Sequence, residues 1–194
     1  MYNFIKWVGI IFSRVFFRIK VYNREFEPKE GGVILCSNHI SMLDPILVAM
    51  HMKRKIKFMS KEEIFTWPVL GYIAKHVGAF PVSRGPGDLS AMKIALKTLK
   101  EGNVLGIFPE GGRKHSEEES TAKAGVAALA FKTKTTVLPV HIITKASKLK
   151  IFCKISVVYG KPIPFEEMGF TTGSSDEQKE ISQKILNDIF ALKV

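Results

Sequence analysis

The 194-residue sequence predicts a single α/β domain, a mostly parallel or mixed sheet flanked by helices. Short apolar runs alternate with segments of helical periodicity along most of the chain. The runs at 33–37 and 104–108 are continuously apolar, as in strands buried on both faces. A composition of 46% hydrophobic and 24% charged residues is that of a globular chain, with no repeat, low-complexity stretch or long linker to divide it.

The first twenty residues are apolar, but Lys6 and Arg14 interrupt them, and a spanning helix needs roughly 20 mostly apolar residues. Wound at about 100° per residue, the segment places Phe4, Ile5, Val8, Ile11, Phe12, Val15, Phe16 and Ile19 on one half. Asn3, Lys6, Ser13, Arg14, Arg18 and Lys20 fall on the other, with Trp7, Ile10 and Phe17 among them. Four cations without an acid are the pattern of a helix lying in the headgroup plane. The same segment also suits a helix docked on the protein's own core. No small-residue cleavage site follows it, which argues against a signal peptide. The expected division is an amphipathic interfacial helix over 1–22 and the α/β domain over 23–194. The expected location is the cytoplasmic face of the cell membrane, peripheral or monotopic.

Within the domain, 33–37 reads as a strand leading to a helix start at Asp44-Pro45. A short strand lies near 57–59, and a helix over 67–77 precedes a strand at 78–82. Asp88 caps the next helix, where Leu89, Met92, Ala95, Leu96 and Leu99 recur at helical spacing before Gly102. The strand 104–108 ends at Pro109, an Ala-rich helix occupies 121–132, and strands near 136–143 and 151–159 follow. Ser175 and Gln178 stand in capping-box spacing at the last helix, which turns Ile181, Ile185, Ile189 and Phe190 inward. Ligands bind such sheets beyond the carboxyl ends of strands.

A net charge of +11 calls for an anionic partner: nucleic acid, acidic headgroups or a phosphorylated substrate. With no zinc knuckle, zipper heptads or RNP-like strand, nucleic acid is not expected. Cys36 and Cys153 lie in apolar runs, which fits buried thiols in a reducing compartment. The five histidines are scattered without ligand spacing, so no metal and no bound cofactor are expected.

The first strand runs into Asn38-His39, with Asp44 five residues on. On one continuous helix such positions diverge by about 140°, so the two side chains meet only if a turn folds the chain back before Pro45. A carboxylate there would fix the imidazole tautomer and stabilise the imidazolium formed when His39 takes a proton. Asp44 before Pro45 is equally an ordinary helix-cap arrangement, and the spacing alone does not choose. Arg84 and Arg113 each follow a strand, where a guanidinium suits a phosphate or a surface turn. Backbone N–H groups freed at Gly111 and Gly112 would assist them in cradling a phosphomonoester or an oxyanion.

Four blocks occur in order: Asn38-His39-x4-Asp44, Gly78-x-x-Pro81-x-x-Arg84, Phe108-Pro109-Glu110-Gly111-x-Arg113 and Leu138-Pro139-Val140. Together they resemble the glycerolipid acyltransferases with the HxxxxD motif, and specifically the bacterial 1-acyl-sn-glycerol-3-phosphate acyltransferases. The resemblance covers about residues 30–165 and implies the glycerol-3-phosphate acyltransferase-like fold.

By this resemblance His39 deprotonates the free hydroxyl of 1-acylglycerol-3-phosphate and Asp44 orients His39. Arg84 and Arg113 hold the phosphate, Glu110 and Gly111 shape the same pocket, and Lys61 joins it. Lys123 and Gly125 look like the family's Lys-x-Gly. The donor is a thioester of acyl carrier protein or coenzyme A, and the product is phosphatidic acid. The third block departs from the usual Gly-Thr-Arg-Ser, reading Gly111-Gly112-Arg113-Lys114, and an acidic run follows at 117–119. The leading segment is short beside members with a longer membrane-bound lead.

No Gly-x-Ser-x-Gly elbow is present, which favours direct transfer in a ternary complex, with Cys36 as the covalent alternative. Two other readings stand beside this one. A different lysophospholipid, such as lysophosphatidylglycerol, could be the acceptor. A non-catalytic protein that binds anionic lipid through its basic surface would not need His39.

Overall fold

Strand β2 (Val33–Ser37) is buried along its whole length. Val33 and Leu35 enter one hydrophobic core, while Ile34 and Cys36 enter a second on the opposite face. That alternation reflects the two-residue period of a strand, and it makes the sheet the middle of three layers. The computed structural model describes residues 10–11, 17–82, 89–114, 116–144 and 152–194. The other strands are β1 (Arg18–Tyr22), β3 (Ile56–Lys61), β4 (Phe80–Val82), β5 (Val104–Ile107), β6 (Thr136–Thr144) and β7 (Lys154–Tyr159). The helices are α1 (Asp44–His51), α2 (Pro68–Val77), α3 (Leu89–Lys100), α4 (Gly125–Thr133) and α5 (Ser175–Ala191).

Among the described residues the strands form one seven-stranded sheet in the order β1-β7-β6-β2-β5-β3-β4. The strands β6, β2, β5, β3 and β4 are mutually parallel. β7 runs antiparallel to β6, and β1 runs parallel to β7. The sheet is therefore mixed and flanked by helices, as the sequence predicts. Steps β2–α1–β3 and β3–α2–β4 go one way along the sheet; β4–α3–β5 and β5–α4–β6 come back. Crossovers of one hand then place the outgoing helices on one face and the returning helices on the other. Leu47, Val48 and Ala49 of α1 pack in the first core. Ala95 and Leu99 of α3, Val126 and Leu129 of α4, and Ile185 and Leu186 of α5 pack in the second. The neighbouring strands β2 and β5 thus send their chains to opposite faces, which opens a crevice beyond their carboxyl ends.

Three expectations are corrected. The helix over 1–22 does not reach Tyr22, because Arg18–Tyr22 forms β1, paired from Arg18↔Lys154 to Tyr22↔Val158. The outer edge of β7 offers unpaired backbone groups, and satisfying them outweighs the helical periodicity of this short segment. Ile10 and Ile11 are helical; residues 1–9 and 12–16 lie outside the described residues. The last helix is capped by Ser174, not Ser175: the Ser174 hydroxyl accepts from the Glu177 N–H. The Ala-rich helix begins at Gly125, and 121–124 run outside it, with the Lys123 N–H donating to the Pro109 carbonyl at 2.9 Å. Among the described residues no helix is long and apolar enough to cross a membrane.

Gly106 in β5 sits opposite Phe58 of β3. A Cβ there would stand 2.1 Å from Phe58 Cε1, so the ring occupies space that only glycine leaves open. Gly106→Ala is expected to lose about 1–3 kcal/mol through overpacking. A lower urea midpoint at unchanged slope would show it; an unchanged midpoint would contradict this packing.

Candidate active site

β2 ends at Ser37, and residues 38–41 turn before α1 begins. Asp44 Oδ2 accepts from His39 Nδ1 at 2.9 Å and from the Ile40 and Ser41 N–H groups at 2.7 Å each. The helix-cap alternative fails on this geometry. Leu43 is the N-cap residue of α1, with no side-chain cap, and the Asp44 carboxylate reaches back into the loop. Asp44 is fully buried, while the His39 side chain keeps 18% of its surface exposed. An ionised carboxylate only accepts, so Nδ1 carries the proton and Nε2 is left as the basic nitrogen.

The loop after β5 fixes His39 from the other side. The His39 N–H donates to Glu110 Oε2 at 2.6 Å, and the His39 carbonyl accepts from the Lys114 N–H at 2.8 Å. The Phe108 ring stacks on the imidazole, with centroids 4.1 Å apart, and Phe58 stacks behind Phe108 at 5.8 Å. The Asn38 side chain pairs with the Ile142 backbone through both its groups, accepting at 2.8 Å and donating at 3.0 Å. His39 is therefore held by β2, α1, the β5 loop and β6 together.

Glu110 is buried and its second oxygen accepts from the Ser120 hydroxyl at 2.7 Å. Gly111 adopts a positive φ of 66°, and its N–H donates to the Phe108 carbonyl at 3.0 Å. That N–H closes the turn, so it is not the free donor that the sequence suggests. The Lys123 side chain packs over Gly111: a Cβ there would meet Cδ and Cε at 2.8 Å. Arg113 is exposed in the same loop, with no ion pair among the described residues. A cavity of about 200 Å³ lies on the β6 side of the loop, lined by Asn38, Glu110, Lys114, Ser120, His141 and Ile142 among others. An apolar groove of about 50 Å³ lies on the β3 side, lined by Met42, Pro45, Ile46, Phe58, Ile64 and Ala79 among others.

The structure thus brings His39, Asp44, Glu110, Gly111 and Arg113 to one crevice. Lys61 ends β3 and pairs with Val82 along the backbone, its side chain lying outside what is described. Arg84 also lies outside the described residues. Ser120 and the pairing of Asn38 with Ile142 are the contributors that motif reasoning misses. A polar residue just after a buried strand is a faint signal for Asn38; Ser120 stands ten positions beyond Glu110, and no local pattern marks it. Among the described residues no group of three or more His, Cys, Asp or Glu side chains is placed to hold a metal.

Burial pushes the Glu110 carboxyl above its ordinary range, and the Ser120 and His39 hydrogen bonds partly oppose the shift. The folded protein then binds this proton more readily than the unfolded chain. Its contribution to stability accordingly falls as pH rises from the ordinary 4.5 through the raised value. Glu110→Gln keeps an oxygen for the His39 N–H and is expected to flatten that stretch of the stability profile. Urea midpoints across the mildly acidic range decide it, and an unaltered slope would assign the pH dependence elsewhere.

Residues 18–143 match the Acyltransferase protein family. A 1-acyl-sn-glycerol-3-phosphate acyltransferase of Bacillus subtilis (strain 168) is 31% identical over 148 residues, covering 75% of this chain and 73% of that protein. A protein of the same name from Borreliella burgdorferi is 30% identical over 127 residues, 64% of this chain and 51% of that one. The chain thus spans about half the length of the second relative. Among solved structures, the 1-acyl-sn-glycerophosphate (LPA) acyltransferase PlsC from Thermotoga maritima shares the fold, with a TM-score of 0.71 at 24% identity. That likeness covers 100% of this chain and 81% of the other. With a match across most of its sheet, and with His39, Asp44 and Glu110 gathered at one crevice, the chain belongs to the acyltransferase family.

Proposed function

We propose that this protein transfers an acyl chain from a thioester of acyl carrier protein or coenzyme A to the free hydroxyl of 1-acylglycerol-3-phosphate, giving phosphatidic acid at a membrane surface. The observation that carries the reading is the His39–Asp44 pair, whose 2.9 Å contact leaves Nε2 basic at the mouth of the crevice. His39 Nε2 takes the hydroxyl proton as the alcohol oxygen attacks the thioester carbonyl. Asp44 stabilises the imidazolium that forms. The tetrahedral intermediate then collapses, the carbon–sulfur bond breaks, and the imidazolium returns the proton to the leaving thiolate. A thiol has a pKa of about 8.5, so its departure needs little assistance, and activating the alcohol is the demanding step.

Arg113, exposed beside Gly111, is suited to the acceptor phosphate, with Arg84 and Lys61 as its expected companions. Glu110 acts through the backbone: it holds the His39 N–H, so it positions the base. The chain carries no bound cofactor in this scheme, and the donor thioester is a second substrate. The covalent alternative is disfavoured at Cys36, which is fully buried and whose thiol is pushed up by that burial.

His39→Ala is expected to lower acyl transfer to 1-acylglycerol-3-phosphate by about 10²–10⁴-fold, the usual share of a general base, with the fold retained by circular dichroism. Asp44→Asn should also reduce turnover, because the amide can present its NH₂ to Nδ1 and permit the wrong tautomer. Undiminished transfer by His39→Ala would sink the mechanism. Transfer to lysophosphatidylglycerol in preference to 1-acylglycerol-3-phosphate would keep the chemistry and change the acceptor. Cys36→Ala is expected to keep turnover; its loss from a folded variant would restore the acyl-enzyme route.

A further inference from the structure

The strands set three things at one edge of the sheet. His39 follows the carboxyl end of β2. The 3-10 helix Glu62–Thr66 and Trp67 follow the carboxyl end of β3, which is parallel to β2 through β5. β1 is antiparallel to β2, being parallel to β7, so its first residue, Arg18, also lies at this edge. The register carries that corner outward: Ile19 pairs with Ile155, which pairs with Thr144, four residues beyond the Val140 that pairs with Ser37. His39 therefore stands between two flanks. The β1 and β3 positions are five places apart in the strand order, about 24 Å at the usual spacing.

The β3 flank carries a surface that water does not favour, and the β1 flank is entered by an apolar stretch of sequence. At the β1 end, the chain before Arg18 is the apolar segment bearing Lys6 and Arg14 without an acid. At the β3 end, Trp67 is 51% exposed, Tyr72 54% and Met42 40%. Met42 also lines the apolar groove beside the site. Trp67 opens α2, and Pro68, Tyr72 and Lys75 share its exposed face. Tyr72 lies five residues down the helix, about 7.5 Å from that edge, within the roughly 5–10 Å to which interfacial segments bury. Tryptophan and tyrosine combine an apolar ring with a polar tip, the pairing that settles at headgroup level. Glu62 and Glu63 in the same turn are exposed, so attachment here depends on aromatic burial, while the cations serve the β1 end.

We infer that Trp67 and Tyr72 form a second membrane contact, which with the N-terminal segment seats the site edge against a lipid bilayer. The inference rests on the proposed lipid acceptor. One attachment point leaves the domain free to swing about it. Two, on either side of His39, hold the crevice and the mouth of the groove toward the lipid.

The sequence contains two tryptophans, so Trp7→Phe leaves Trp67 as the only one. In that otherwise full-length protein, Trp67 emission is expected to shift to the blue on phosphatidylglycerol–phosphatidylcholine vesicles. Bromine-labelled acyl chains should quench it. Trp67→Ala with Tyr72→Ala should weaken vesicle sedimentation on the order of tenfold, equivalent to about 1.4 kcal/mol of lost apolar burial. Protein that sediments with vesicles while Trp67 emission stays unchanged and unquenched overturns the inference and leaves the reaction standing. A shift produced by acyl carrier protein, and not by vesicles, makes this a protein-docking face and overturns it equally. Failure of the wild-type protein to sediment at all also overturns it. Acyl transfer to 1-acylglycerol-3-phosphate dispersed in detergent micelles then reports separately on the proposed reaction.

Discussion

Asp44 Oδ2 accepts three hydrogen bonds, from His39 Nδ1 and from the Ile40 and Ser41 amides, and this one oxygen dictates the shape of the loop between β2 and α1. A fully buried carboxylate is costly unless donors surround it. The donors reach it only when residues 38–41 fold back over the start of the helix, and that turn carries the imidazole with it. The same contacts that stabilise the charge orient the ring and select its tautomer. One geometry sets both the path of the loop and the orientation of the ring.

The rest of the crevice is built to hold that loop. Glu110 takes the His39 N–H, the Lys114 N–H takes the His39 carbonyl, and Asn38 ties the strand end to Ile142. Phe58, Phe108 and His39 stack in series, and the series begins with the space that Gly106 leaves in the core. Glu110 is therefore a buried acid held by a serine and a backbone amide, and its burial penalty is balanced against the order it imposes on His39. Packing in the first core and the position of the His39 imidazole are linked through two aromatic rings.

The topology explains why these residues meet at all. The crossovers leave β2 and β5 in opposite directions, so neither crossover helix covers the gap between their carboxyl ends. The β6–β7–β1 corner and the β3–α2 corner stand on either side of the gap. In the proposed membrane seating, a flat lipid surface meets both corners first, with the exposed Trp67 and Tyr72 at one of them.

Much of this was legible in the sequence. Continuous apolar runs at 33–37 and 104–108 mark buried strands because both faces of a parallel sheet are covered. The ordered motifs pick out His39, Asp44, Glu110, Gly111 and Arg113, which the structure gathers at one crevice. Local pattern misassigned Arg18–Tyr22, whose helical periodicity yields to the open edge of β7. It also left Asp44 undecided between a helix cap and a partner for His39. The tertiary structure alone decided these points, along with Ser120 on Glu110, Asn38 on Ile142 and the stack behind the imidazole. The physical reason is range. Periodicity and motif spacing report interactions within a few residues, whereas strand pairing, buried hydrogen bonds and ring contacts join segments far apart in the chain and exist only once the sheet has formed.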